Sequence, residues 1–227
     1  MLESPPMLRP LALILALGLS PAEAQEPNLA AGEPGTPGTA SQLVLAQRLF
    51  QKATGTGDPV LLLAAIRLAR GVAQRPAVGW ERTVAQGGEA PETEGPPDPG
   101  SAAALATLKG LAVDDPDLQD LVYDLDAQVP KGRLPVATVA KSALGSGVAE
   151  DWRLPLSGSV AAEIAVIGDG GTALGVTVID DTGATICNSP ATTDPVLCRF
   201  TPARNAFFTV HIQNEGVEAG GYLLVGN

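Results

Sequence analysis

One imidazole, at His211, bounds the acid–base chemistry open to this sequence of 227 residues. Nucleophilic hydrolysis needs a base within hydrogen-bond reach of a nucleophile and an acid to orient it. The sequence has no G-x-S-x-G elbow and no H-E-x-x-H pair. Ser146, flanked by Gly145 and Gly147, reads as a loop residue. His211 lies in an alternating stretch where Phe208, Val210 and Ile212 point one way and Thr209, His211 and Gln213 the other. That places His211 on a polar, solvent-facing side with Phe207, and these two are the expected surface contacts. Paired carboxylates are the other route to catalysis. Asp114, Asp115 and Asp117 cluster at a helix start, where the helix dipole favours them. Asp120 and Asp124 fall on a polar face opposite Leu118 and Leu125. A carboxylate on a solvated face makes a poor general acid, so no catalytic residue is expected. One His and two Cys do not make up a zinc ligand set. A net charge of −11 excludes the basic face that a nucleic-acid binder needs.

Residues 1–24 read as a secretory signal peptide. An apolar run from Leu11 to Leu19 is followed by a helix-breaking Pro21 and a small-x-small cleavage site, Ala22-Glu23-Ala24, which makes Gln25 the new first residue. The run is shorter than the roughly 20 residues that span hydrocarbon. The densest later apolar stretch, Val60 to Ala69, contains Arg67. The mature chain is therefore expected to have no transmembrane span and to be periplasmic or secreted. An oxidising compartment makes Cys187 and Cys198 an expected disulfide, a structural staple closing a short, turn-rich loop.

The elements that would position these residues divide the chain. Residues 25–38 are rich in Pro and Gly and read as a flexible leader. Residues 39–130 read as helical. Thr39-x-x-Gln42 fits a capping box, and Leu45, Ala46, Leu49, Phe50 and Ala53 recur at helical spacing. Asp58-Pro59 restarts a helix that is apolar nearly all round. Residues 87–100 contain no large apolar side chain and read as a disordered acidic linker. Ser101 caps a short Ala-rich helix, and Asp115-Pro116 opens another with Leu118, Leu121, Val122 and Leu125 on one face. The first helical pair is basic and the second acidic, so the two are expected to pack with complementary charged faces. Beyond Gly145 the period changes to 2, with turn signals about every ten residues, which predicts an antiparallel sandwich. The expected fold is α+β by segregated domains: N-terminal helical hairpins, then a jelly-roll-like β-sandwich over residues 131–227.

Within that last stretch a resemblance is carried by a Trp-containing first strand at Trp152, by Gly168-Asp169-Gly170, and by Val178-Ile-Asp-Asp-Thr-Gly183 leading to Ile186-Cys187. Cys198-Arg-Phe-Thr-Pro202, Val210-His-Ile-Gln-Asn-Glu-Gly216 and Gly221-Tyr-Leu-Leu-Val225 complete it. Residues 150–227 in this order resemble the bacterial pre-peptidase C-terminal domain family, small β-sandwiches appended to secreted enzymes and envelope proteins. Some members bind calcium through acids after the second strand. Here the run keeps only Asp169, and Gly171, Ala173 and Gly175 offer no side-chain oxygen. The resemblance therefore implies calcium only if Asp180 or Asp181 joins Asp169; no other cofactor is expected. The run also matches a loose G-x-G-x-x-A dinucleotide pattern, but a strand follows it where a phosphate site needs a helix. The expected function is an exported, non-enzymatic binding or accessory protein whose helices engage a protein or cell-envelope partner. The alternative is a secreted hydrolase or its regulatory subunit.

Overall fold

A computed structural model describes residues 26–32, 35–84, 93–128 and 133–227. The expected signal peptide, residues 1–24, lies outside these residues. Four helices come first: α1 (Thr39–Thr56), α2 (Pro59–Arg70), α3 (Ala102–Leu111) and α4 (Pro116–Ala127). Their starts follow local chemistry. Asp58 accepts hydrogen bonds from the Val60 and Leu61 amides at 2.9 and 3.0 Å. Ser101 caps Ala104, and Asp115 caps Leu118.

The start of α1 does not follow the expected capping box. Gly38 is the N-cap and has no side chain to give. Thr39 sits inside the helix with its hydroxyl buried and unpartnered, and Gln42 donates to the Leu68 carbonyl of α2. The cap comes instead from Glu163, far away in sequence. Its carboxylate accepts from the Gly38 amide at 2.7 Å, the Ser41 amide at 3.0 Å and the Ser41 hydroxyl at 2.6 Å. Burial pushes this carboxyl up. The bonds from Ser41 and Gly38, with the Arg199 charge, outweigh burial and hold it below the ordinary glutamate range.

Ten strands form two five-stranded sheets. β1 (Ala73–Pro76) and β2 (Glu81–Val84) come from the stretch expected to be helical. β3 (Val136–Leu144), β4 (Ala149–Leu156), β5 (Ala162–Gly168), β6 (Leu174–Ile179), β7 (Thr185–Thr192), β8 (Val196–Phe200), β9 (Ala206–Asn214) and β10 (Gly220–Gly226) follow. The first sheet runs β1-β3-β10-β5-β8 and the second β2-β4-β9-β6-β7. All pairings are antiparallel except β1 with β3. Residues 77–80 carry the chain from one edge of the first sheet to the matching edge of the second, and residues 193–195 make the return at the opposite edge.

Alternation fills the space between the sheets. Trp152, Leu154, Ile164, Val166, Val176, Val178, Phe208, Val210, Ile212, Tyr222 and Leu224 form this core, with Phe200 and Phe208 ring centroids 5.1 Å apart. β2 enters it through a charge. Glu150, fully buried, meets the Arg82 guanidinium at 2.6 Å, and Trp152 Nε1 donates to Glu150 at 3.0 Å and to the Tyr222 hydroxyl at 2.6 Å.

The helices do not stand apart from the sandwich. Ala40, Leu43 and Val44 of α1 pack on Ala165, Ile167, Leu223 and Val225, which project from the outer face of the first sheet. A separate cluster of Leu62, Ile66, Leu105, Leu108, Leu118, Val122 and Leu125 joins α2, α3 and α4. Segregation into two parts is thus replaced by a helical layer on a sandwich. The expected charge complementarity also fails. Arg70 donates to the carbonyls of Gly100 and Leu125, and among the described residues no ion pair joins the basic helices to the acidic ones. Their contact is apolar, and Lys109 pairs with Asp126 inside the acidic pair at 2.7 Å.

Described parts of the leader and linker are also tied down. Asn28 is wholly buried, and the Ala30 amide donates to the Thr201 carbonyl. Pro99 is buried beside α1 and α2, so part of the expected linker packs against the protein.

Candidate functional site

Among the described residues, no helix packs on the outer face of the second sheet. Strand register aligns five polar side chains in one row across it. Thr83 of β2 stands opposite Asp151 of β4, Asp151 opposite His211 of β9, His211 opposite Thr177 of β6, and Thr177 opposite Asn188 of β7. Two hydrogen bonds run along the row: His211 Nδ1 to Asp151 Oδ1 at 2.7 Å, and the Thr177 hydroxyl to Asn188 Oδ1 at 2.9 Å. Strands about 4.8 Å apart give the row a length of roughly 19 Å. A second row places Glu81, Arg153 and Thr209 side by side, with Arg153 and Glu81 paired at 3.3 Å. Phe207 closes the face. Its ring is 40% exposed, and the Arg153 guanidinium lies over it at 4.1 Å.

Alternation placed Phe207 and His211 on the outside and Phe208 inside, and the structure has them so. Sequence reasoning missed their partners. Asp151 and Arg153 flank Trp152 on β4 and were readable as outward positions from the same alternation. Thr83 was not, because its strand was expected to be helix, and Thr177 and Asn188 join the row only through strand register.

The acids implied for calcium are not brought together. Asp169 precedes β6 and Asp180 follows it, which separates them by about 20 Å of strand. Asp169 accepts from the amides of Gly171 and Thr172 at 2.9 Å each and from the Gly221 amide at 3.1 Å, so it holds its own loop to β10. Asp180 accepts from the Asn28 amide at 2.6 Å, the Thr182 hydroxyl at 2.7 Å and the Ala184 amide at 2.9 Å. Burial pushes the Asp180 carboxyl up, but these bonds hold it below the ordinary range. Asp181 pairs with Arg204 at 2.9 Å and accepts from the Asn28 side chain. These two acids therefore anchor the leader. Among the described residues no group of three or more His, Cys, Asp or Glu is placed to hold a metal.

Cys187 and Cys198 are free thiols, which corrects the expected disulfide. They are neighbours, on β7 and β8 at one edge of the sandwich. The Cys198 thiol donates to the Cys187 sulfur, which holds Cys187 below the usual thiol range despite partial burial. The same hydrogen bond and deeper burial push Cys198 far up.

No family model matches the sequence, and no curated protein does. Among solved structures, the chain is similar to the pre-peptidase C-terminal domain of a collagenase from Bacillus anthracis. Identity is 14% and the TM-score 0.35, over 44% of this chain and 99% of that domain. It is also similar to a carbohydrate-binding module crystallised with calcium and xylotriose (12% identity, TM-score 0.26, 44% of this chain and 91% of that one). A third is the xylan-binding module of a Paenibacillus barcinonensis protein (12% identity, TM-score 0.24, 39% of this chain and 80% of that one). No helix among the described residues is long and apolar enough to cross a membrane.

Proposed function

We propose that this is an exported, non-enzymatic binding protein, and that the bare face of its second sheet holds an extended, hydroxyl-rich ligand of the glycan class. The observation that carries this is the cross-strand row Thr83–Asp151–His211–Thr177–Asn188, with the Phe207 ring on the same face four residues along β9 from His211. A carboxylate, an imidazole, two hydroxyls and an amide lie side by side on a rigid sheet, offering donors and acceptors to a chain laid across the strands. An aromatic face beside them suits the apolar face of a sugar ring. The net charge of −11 disfavours polyanions, so the glycan is neutral or basic. The Asp151–His211 pair is open to solvent, with side chains 50% and 39% exposed, an environment suited to reversible contact more than to proton transfer.

Affinity electrophoresis against neutral, basic and acidic soluble polysaccharides tests the reading. At least one neutral or basic polymer is expected to retard the protein. F207A and H211A each weaken that retardation about fivefold or more. Retardation unchanged in both variants, or no polymer that retards the wild type, removes the proposal.

A further inference from the structure

The crossover at residues 77–80 roofs a cavity of about 280 Å³ at one end of the sandwich, where both sheets contribute to the wall. Its floor is apolar and belongs to the core: Leu154 and Ile164 are 0% and 2% exposed. One wall is the half-buried indole of Trp80. That ring leans on the β10 backbone at Gly226, where a Cβ would lie 3.0 Å from indole Cζ2 and 3.1 Å from Cη2. Val78, 88% exposed, stands at the mouth.

The polar lining is one-sided. Arg75 spends its Nε on the Thr138 hydroxyl at 3.1 Å, which leaves its Nη donors without a carboxylate among the described residues. The two polar residues beside them in the lining are occupied. Glu163 is the acid that caps α1, with Arg199 beside it at 3.3 Å. Asn227 accepts from the Glu163 amide and donates to the Ala161 carbonyl, each at 2.9 Å. The cavity thus offers a cation with spare donors over an apolar floor and, among the described residues, no unpaired side-chain acid to meet a ligand cation.

We propose that this cavity binds a small monocarboxylate with an apolar body. The Arg75 guanidinium takes the carboxylate, and the body lies against Trp80 over Leu154 and Ile164. The volume is at the lower end for ligand pockets, which suits a single ring or a short acyl chain. An amino acid is disfavoured because its ammonium finds no partner, and a polyanion because of the protein's overall charge.

Ligand-observed NMR on the full chain, with benzoate, benzamide, benzylamine and phenylalanine as probes, decides the matter. Benzoate is expected to bind with a dissociation constant on the order of 1 mM or tighter. The other three bind about tenfold more weakly or not at all. R75M loses about tenfold in benzoate affinity, R75K recovers part of it, and V78W, which narrows the mouth without touching the core, weakens it. F207A leaves benzoate binding unchanged, so failure here is separable from failure of the glycan reading. Three results each overturn the proposal: no benzoate binding by the wild type, benzamide binding as well as benzoate, or R75M binding benzoate like the wild type while melting normally.

Discussion

The two sheets differ most in what covers their outer faces. The first projects Ala137, Ala165, Ile167, Leu223 and Val225 outward, and α1 buries them with Leu43 and Val44. The second projects Thr83, Asp151, Arg153, Thr209 and His211, and among the described residues no helix packs on them. A sheet face that repeats apolar residues at alternate positions must find a partner, whereas a polar one is stable in water. The chain's own helices meet the first need, and the polar second face has none to meet.

The same contrast holds for charge, and the sharpest test compares two Arg–Glu pairs on neighbouring residues. R82M leaves the buried Glu150 without its partner and is expected to cost about 3 kcal/mol or more in a urea melt. R153A, which breaks the exposed pair with Glu81, is expected to cost less than about 1 kcal/mol. Similar losses for both would mean that Glu150 is not truly desolvated. Next in size is the covered face against the bare one. L43A removes a side chain clamped between α1 and the sheet and is expected to cost about 2–3 kcal/mol, against about 0.5 kcal/mol for T209A.

A third prediction follows from Glu163 and Asp180, both held below their ordinary range. The stability they contribute is complete above the unfolded carboxylate values near about pH 4 and is lost as pH falls through the lower folded values. E163Q should cost about 1.5 kcal/mol at neutral pH and progressively less in acid, read from urea midpoints across a pH series. A constant cost would show that the cap does not depend on ionisation. The smallest effect is kinetic. A thiol reagent should modify Cys187 quickly and Cys198 only on unfolding. Equal rates would place both sulfurs in the same surroundings.

Much of the helical layer was legible because its signals are local: Asp58-Pro59, Ser101 and Asp115-Pro116 each open a helix where their side chains can cap it. The alternation around His211 was equally local and oriented Phe207 and Phe208 correctly. β1 and β2 were not legible. Their inner-side positions are Ala73, Arg75, Arg82 and Val84, and two of these four are charged, so the strands lack the apolar alternation that announces a buried face. Arg82 turns its guanidinium inward to meet the buried Glu150, far along the chain, while the residue itself stays exposed. The α1 cap was missed for the same reason, since Glu163 is brought to Gly38 and Ser41 by tertiary structure. The site's row was half legible, because alternation shows which way a residue points but not which neighbour it meets.

The crossovers at residues 77–80 and 193–195 sew the sandwich shut along both long sides. The connections at 145–148, 157–161, 169–173, 201–205 and 215–219 also pass from one sheet to the other, so prying the sheets apart requires breaking backbone pairing within both. A small guest under the 77–80 crossover would touch both sheets at once and so resist their separation.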